Sequence, residues 1–222
     1  MSGLPAITIA VLAAILLPAC ANQSRPAGSA HGTAAEAEGD VMTTAFEQAK
    51  TAFVRAAAQR TGLRTADLAV SPSAPNVVGI DEHRTGALWP FAATHGRVLV
   101  RGWAGGDGIT VTGSDELAPL MRAAKVLEPA ASLDALALAT RIAWHLGPEY
   151  TLVVTQDDLN LGPPPPDFAA PSLTRPAPDH ALVRFFLELI QARPGGKPDP
   201  RYVRAILNVR AEYATDLALE IL

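Results

Sequence analysis

Tyr202-Val-Arg-Ala-Ile-Leu-Asn-Val-Arg-Ala-Glu-Tyr213 is the stretch that decides the fold of this chain. Val203, Ala205, Leu207, Val209, Ala211 and Tyr213 alternate with Arg204, Ile206, Asn208, Arg210 and Glu212. A period of two over this length predicts a strand with one buried face. Upstream, Val183, Phe185, Leu187 and Leu189 share one face, opposite Arg184 and Glu188. The turn-rich link Arg193-Pro-Gly-Gly-Lys-Pro-Asp-Pro200 joins the two runs into a long antiparallel hairpin, with a third strand at Leu217–Ile221. The spacing of Arg184 and Glu188 would suit a helix as well.

Toward the N-terminus, Gln156–His180 reads as a loop rich in proline, with Pro163–Pro166, Pro171, Pro176 and Pro178. Tyr150–Thr155 is a short strand before it. Ser132 as N-cap, with Asp134 in the first turn and Leu133, Leu136, Ile142 and Leu146 on one stripe, predicts a helix that Gly147-Pro148 stops. A second helix is expected over Asp115–Leu127, Pro119 marking its first turn. Asn76–Ile80, Ala87–Ala93, Arg97–Ala104 and Ile109–Thr112 are apolar runs joined by short glycine-bearing turns, which predicts an antiparallel meander. A first helix is framed by the capping box Thr44…Glu47, carries Phe46, Ala49, Phe53, Val54 and Ala57 on one face, and ends at Gly62. The class that follows is α+β: an antiparallel sheet, built from the N-terminal meander plus the long C-terminal hairpin, packed with about three helices. Residues 43–222 form one domain with a proline-rich loop at 156–180.

Of the 222 residues, 49% are apolar and 18% charged, which supports a real core and excludes wholesale disorder. The net charge of −4 excludes a nucleic-acid partner, since phosphate binding needs a surplus of clustered cations. Residues Gly3 to Ala21 carry no charge, and Leu4–Leu17 has the length of a signal-peptide apolar core. Cys20, the only cysteine, closes Leu17-Pro18-Ala19-Cys20. The folded domain therefore holds no thiol for catalysis, disulfides, zinc or iron–sulfur clusters.

Leu17-Pro18-Ala19-Cys20 resembles the bacterial lipobox: an aliphatic residue, a tolerant position, a small residue, then cysteine. The resemblance covers the leader alone. It implies that residues 1–19 are a signal peptide, that cleavage precedes Cys20, and that the membrane is the first partner through lipid on the Cys20 sulfur. Two or three acyl chains make such an anchor stable, where one alone binds marginally. Ala21 after Cys20 implies sorting to the outer membrane, periplasmic face, if the source is Gram-negative. Met1-Ser2-Gly3 departs from the pattern by lacking Lys and Arg, which leaves an uncleaved membrane-spanning anchor as the competing reading. Residues 20–42 read as the lipidated cysteine and a flexible tether with a reach of roughly 25 Å.

No cofactor or metal motif is present. Asp81-Glu82-His83-Arg84 is a dense polar cluster between two strands and, with His95, is the candidate for acid–base chemistry or a hard cation; a solvated loop is the plainer reading. His145 and Glu149 frame Gly147-Pro148, whose break denies them one helix face, so His145 reads as a helix C-terminal histidine. Gly105-Gly106-Asp107-Gly108 joins two strands and reads as a tight turn. Gln156-Asp157-Asp158-Leu159-Asn160 misses the spacing of a calcium loop. Pro163–Pro166 favours polyproline II, suited to docking on an aromatic groove or to acting as a spacer. Trp89, Trp103, Trp144, Phe185 and Phe186 are expected in the core. The function expected is that of a membrane-tethered envelope lipoprotein, a binding or assembly module with an envelope protein partner. An envelope hydrolase using a His/carboxylate site and a small-ligand-binding lipoprotein are the alternatives.

Overall fold

The computed structural model describes residues 34–73, 85–112, 116–131, 134–158, 163–191 and 199–222. In chain order these form α1 (Ala34–Thr61), β1 (Ala69–Pro72), β2 (Leu88–His95), β3 (Val98–Gly105), β4 (Gly108–Val111), α2 (Ala118–Ala123), α3 (Ala135–Leu146), β5 (Tyr150–Val153), β6 (Ser172–Ala177), β7 (His180–Gln191), β8 (Asp199–Val209) and β9 (Thr215–Ile221). The fold is α+β and its strand pairs are antiparallel. The meander β1-β2-β3-β4 makes one sheet. In the second sheet β8 lies between β7 and β9, and the far edge of β7 is shared by β6, beside His180–Arg184, and β5, beside Phe186–Leu189. The C-terminal hairpin has the expected register of sides, with Phe185 opposite Ala205 and Leu187 opposite Val203.

The meander and the hairpin belong to separate sheets because helices are packed between them. One face of the meander, through Phe91, Ala93, Val100 and Ala104, receives Ala49, Phe53, Ala57 and Ala58 of α1. The Phe53 ring stacks on Phe91 at 5.4 Å between centroids. The other face gives Leu88 and Trp103 to a larger core. There they meet Leu120 and Met121 of α2, Leu138 and Ile142 of α3, and Val183, Phe185, Leu187, Val203, Ala205 and Leu207 of the hairpin. The layers therefore run α1, first sheet, α2 with α3, second sheet. A fully buried large apolar side chain contributes roughly 1.5–3 kcal/mol. A helix cap contributes only about 1 kcal/mol. Two-sided burial, rather than capping, fixes α3 between the sheets.

The structure departs from the sequence reading at several element ends, each for a local reason. α1 begins at Ala34 rather than Thr44, so its first turns enter the segment assigned to the tether; Ala34-Ala-Glu-Ala-Glu38 is built of strong helix formers. The N-cap of α3 is Asp134, whose Oδ1 accepts the Leu136 N–H at 3.0 Å, two residues later than the expected Ser132. α2 is only Ala118–Ala123, and the chain leaves the helical path at Lys125, φ 55°. β8 stops at Val209 although the alternation runs on to Tyr213, because Glu212 and Tyr213 take φ of 59° and 62° and turn the chain into β9. Strand β6 lies inside the expected loop Gln156–His180; as an edge strand it tolerates Pro176. β1 has no counterpart among the expected strands, while the expected strand Asn76–Ile80 lies outside the described residues. So does the leader, with Cys20. Among the described residues no helix is long and apolar enough to cross a membrane.

Candidate functional site

The outer face of the second sheet, turned away from the helices, carries Arg184 and Phe186 on β7 and Arg204 and Ile206 on β8. Phe186 is buried although it points away from the main core. The cover comes from the proline-rich segment. The Pro165 C=O accepts the Phe168 N–H at 3.0 Å, closing a turn with Pro166 at its second position, where the ring presets the backbone. That turn sends Phe168 onto Phe186, 5.3 Å between ring centroids and 55° between planes, and sends Asp167 into an ion pair with the Arg204 guanidinium. Between this strap and the sheet a cavity of about 390 Å³ remains, lined by Asp167, Ala169, Ala170, Ser172, Arg184, Phe186, Arg204 and Ile206. Its floor is apolar, Ala169 and Ala170 keep the strap side low, and Arg184 stands exposed at its edge.

The two arginines of this groove are in different electrostatic states. Arg204 donates from Nε to Glu220 Oε2 at 3.0 Å, from Nη2 to the same oxygen, and from Nη1 to Asp167. Bonding to Glu220, and then the charge of Asp167, hold the Arg204 pKa above its ordinary value. Arg204 is thus a strut that fixes the strap to β8 and β9. Arg184 has no carboxylate partner among the described residues. Across the ladder Arg184 faces Ile206 and Phe186 faces Arg204, so the two guanidiniums occupy diagonal positions on one face, within reach of a shared ligand.

A second polar seam lies between the first sheet and α3. His145 is buried, its Nε2 3.4 Å from Thr110 Oγ1, and the Thr110 hydroxyl donates to the Glu116 carbonyl at 2.6 Å. The Arg101 guanidinium sits 5.7 Å from the Trp144 ring centroid, and the Trp144 and Trp103 rings meet edge to face at 5.3 Å. Burial lowers the Arg101 pKa, opposed by the charge of Glu149; burial first and Glu149 second raise that of Tyr150. The Glu149 carboxylate folds back over Gly147, φ 144°, where a Cβ would meet Oε2 at 2.5 Å. These contacts tie β3, β4 and α3 together.

Of the residues singled out in the sequence, Cys20, Asp81, Glu82 and His83 lie outside the described residues. His95 is exposed at the end of β2, its Nδ1 2.9 Å from the Asp67 carbonyl. His95 and His145 belong to different places, one at the α1 side of the meander and one buried against α3. Asp158 accepts the N–H of Val154 and of Thr155 and the Thr155 hydroxyl, all on Oδ2, a turn arrangement that directs that oxygen to the local backbone. Among the described residues no three His, Cys, Asp or Glu side chains are grouped as metal ligands. Trp103 and Phe185 are in the core as expected, whereas Phe186 is on the opposite face and belongs to the groove. The residues that follow the proline run, Asp167 and Phe168, dock on the chain's own sheet.

The groove is absent from the sequence reading because its residues come from the strap and from strands β6, β7 and β8. The available signal was Phe186, an aromatic on the polar side of an otherwise alternating strand. An open depression of about 540 Å³ beside α1 is larger, but only outward residues of that one helix, such as Thr44, Gln48 and Arg55, line it. No family model, curated protein or solved structure matches the chain.

Proposed function

We propose that the chain is a membrane-tethered lipoprotein of the cell envelope that works as a binding module, with the groove over β7 and β8 as its binding face. The observation that carries the reading is Leu17-Pro18-Ala19-Cys20 at the end of an uncharged leader. Cysteine chemistry in this chain is confined to Cys20, and the α+β domain follows it. Lipid on Cys20 would keep the domain at the membrane surface and raise its effective concentration toward anything else held there. The groove supports the binding half of the reading: it joins an apolar floor to a cation with no carboxylate partner among the described residues, as small-ligand sites do. In a Gram-negative cell the membrane would be the outer one, with the domain in the periplasm.

The test is metabolic labelling with a clickable fatty acid, followed by membrane fractionation. Label on the wild-type chain that is lost in Cys20→Ser is the expected result. An unlabelled wild-type chain, or a labelled serine variant, overturns the anchor. Crosslinking in intact cells, with wild type compared against Arg184→Gln, then identifies what the groove faces.

A further inference from the structure

We propose that the groove takes a monocarboxylate carried on a compact apolar body, with Arg184 as the residue that receives the carboxylate. The inference rests on reading the groove as the binding face. The charge arrangement selects the ligand. Three ionised groups line the cavity, Arg184, Arg204 and Asp167, and a fourth, Glu220, is bonded to Arg204. Arg204 spends its donors on the two carboxylates, which leaves Arg184 as the one cation of the four without a carboxylate partner among the described residues. A guanidinium presents a planar fork that matches a carboxylate with two parallel N–H···O bonds. A dianion such as inorganic phosphate would gain the same fork but has no apolar body to cover Phe186 and Ile206. A neutral ligand would leave the fork unused. A singly charged, planar oxyanion fits best.

Shape supplies the other half. Phe186 and Ile206 make a floor with no polar atoms, and Ala169 with Ala170 lines the strap side. The volume of about 390 Å³ is at the lower end of the range for small-molecule sites, roughly 300–1,000 Å³. An aromatic or branched body of amino-acid size fills it, with the carboxylate left at the edge where Arg184 stands. The Ser172 side chain lines the same cavity and offers a hydroxyl to the second carboxylate oxygen.

The experiment titrates the full chain, purified from membranes in detergent with isotope-labelled arginine, while the Arg184 Nε–H signal is followed by NMR. The probes are hydrocinnamate, its neutral amide, acetate and inorganic phosphate. Hydrocinnamate is expected to bind saturably, with the amide, acetate and phosphate each at least about tenfold weaker. Arg184→Gln is expected to weaken hydrocinnamate at least about tenfold. Ala169→Leu, which fills the cavity and keeps the charges, is expected to weaken it comparably, while Arg210→Gln leaves it unchanged. Amide binding as tight as the acid, phosphate binding tighter than hydrocinnamate, binding that survives Arg184→Gln, or no saturation overturns the inference. Fatty-acid labelling is read separately. A labelled chain without saturable binding overturns the ligand and leaves the anchor; saturable binding by an unlabelled chain does the reverse.

Discussion

Phe168 and Phe186 meet with ring centroids 5.3 Å apart on the outer face of the C-terminal sheet, which makes the proline-rich segment a strap over its own domain. Asp167, its neighbour in the same turn, is paired with Arg204 on β8. An aromatic pair contributes about 0.5–1.5 kcal/mol beyond its burial. An ion pair between exposed groups contributes about 0–1 kcal/mol. The aromatic contact is therefore the stronger fastening.

Phe168→Ala is expected to release the strap and lower stability by about 1–2 kcal/mol. Asp167→Asn is expected to cost less. Urea denaturation reads the stability, and amide exchange at Asp167–Ala170 reads the release. Equal protection of the strap in wild type and Phe168→Ala would refute the fastening.

Gly102 governs the contact of α1 with the meander. A Cβ there would lie 2.1 Å from the Thr110 carbonyl and 3.0 Å from the Phe53 ring. The first neighbour is backbone and cannot step aside. Gly102→Ala is expected to cost about 1–3 kcal/mol or more through displaced strands, seen as a lowered denaturation midpoint. Gly96→Ala is the comparison, with no atom within 4 Å of its Cβ and only the strain of φ 56° to bear. Equal losses at the two sites would contradict the packing described.

Asp134 and Ser132 compete in the sequence for the start of α3, and Asp134 accepts the Leu136 N–H. Asp134→Ala is expected to cost about 1 kcal/mol and Ser132→Ala only a few tenths, by thermal or urea unfolding. The reverse order would return the cap to Ser132.

Asp158 makes stability depend on acid. The Thr155 N–H first, then the Thr155 hydroxyl and the Val154 N–H, favour its ionised form and hold its pKa below the ordinary carboxylate value. A folded pKa below the unfolded one means that the stabilisation is complete above the unfolded value, about 3.9, and is lost as the pH falls through the folded value. Asp158→Asn is therefore expected to lower stability at neutral pH and to flatten its decline on acidification. Urea midpoints measured across that range check the slope. An unchanged slope would mean that these hydrogen bonds do not distinguish the two protonation states.

Much of the fold was legible because alternation and glycine punctuation are local signals. Val203, Ala205, Leu207 and Val209 face the core as their period requires, and Gly105 and Gly108 pair across the turn between β3 and β4. Element ends were less legible. Ala211 and Tyr213 continue the period of β8, yet the positive φ of Glu212 and Tyr213 ends the strand before them. β6 was hidden by Pro176, whose missing N–H matters only where a neighbouring strand would need it.

By itself the sequence determined the class, the sidedness of the hairpin, the place of α3 between its stops, and the single thiol at Cys20. Each of these depends on residue type and spacing along one segment. Tertiary structure alone decided that the meander and hairpin form separate sheets with α2 and α3 between them, and that Phe186 leaves the core for a groove. It also decided which arginine is spent and which is free. Arg184 and Arg204 look alike along the chain. What separates them is that a turn from the proline segment and the last strand bring two carboxylates to Arg204 and, among the described residues, none to Arg184.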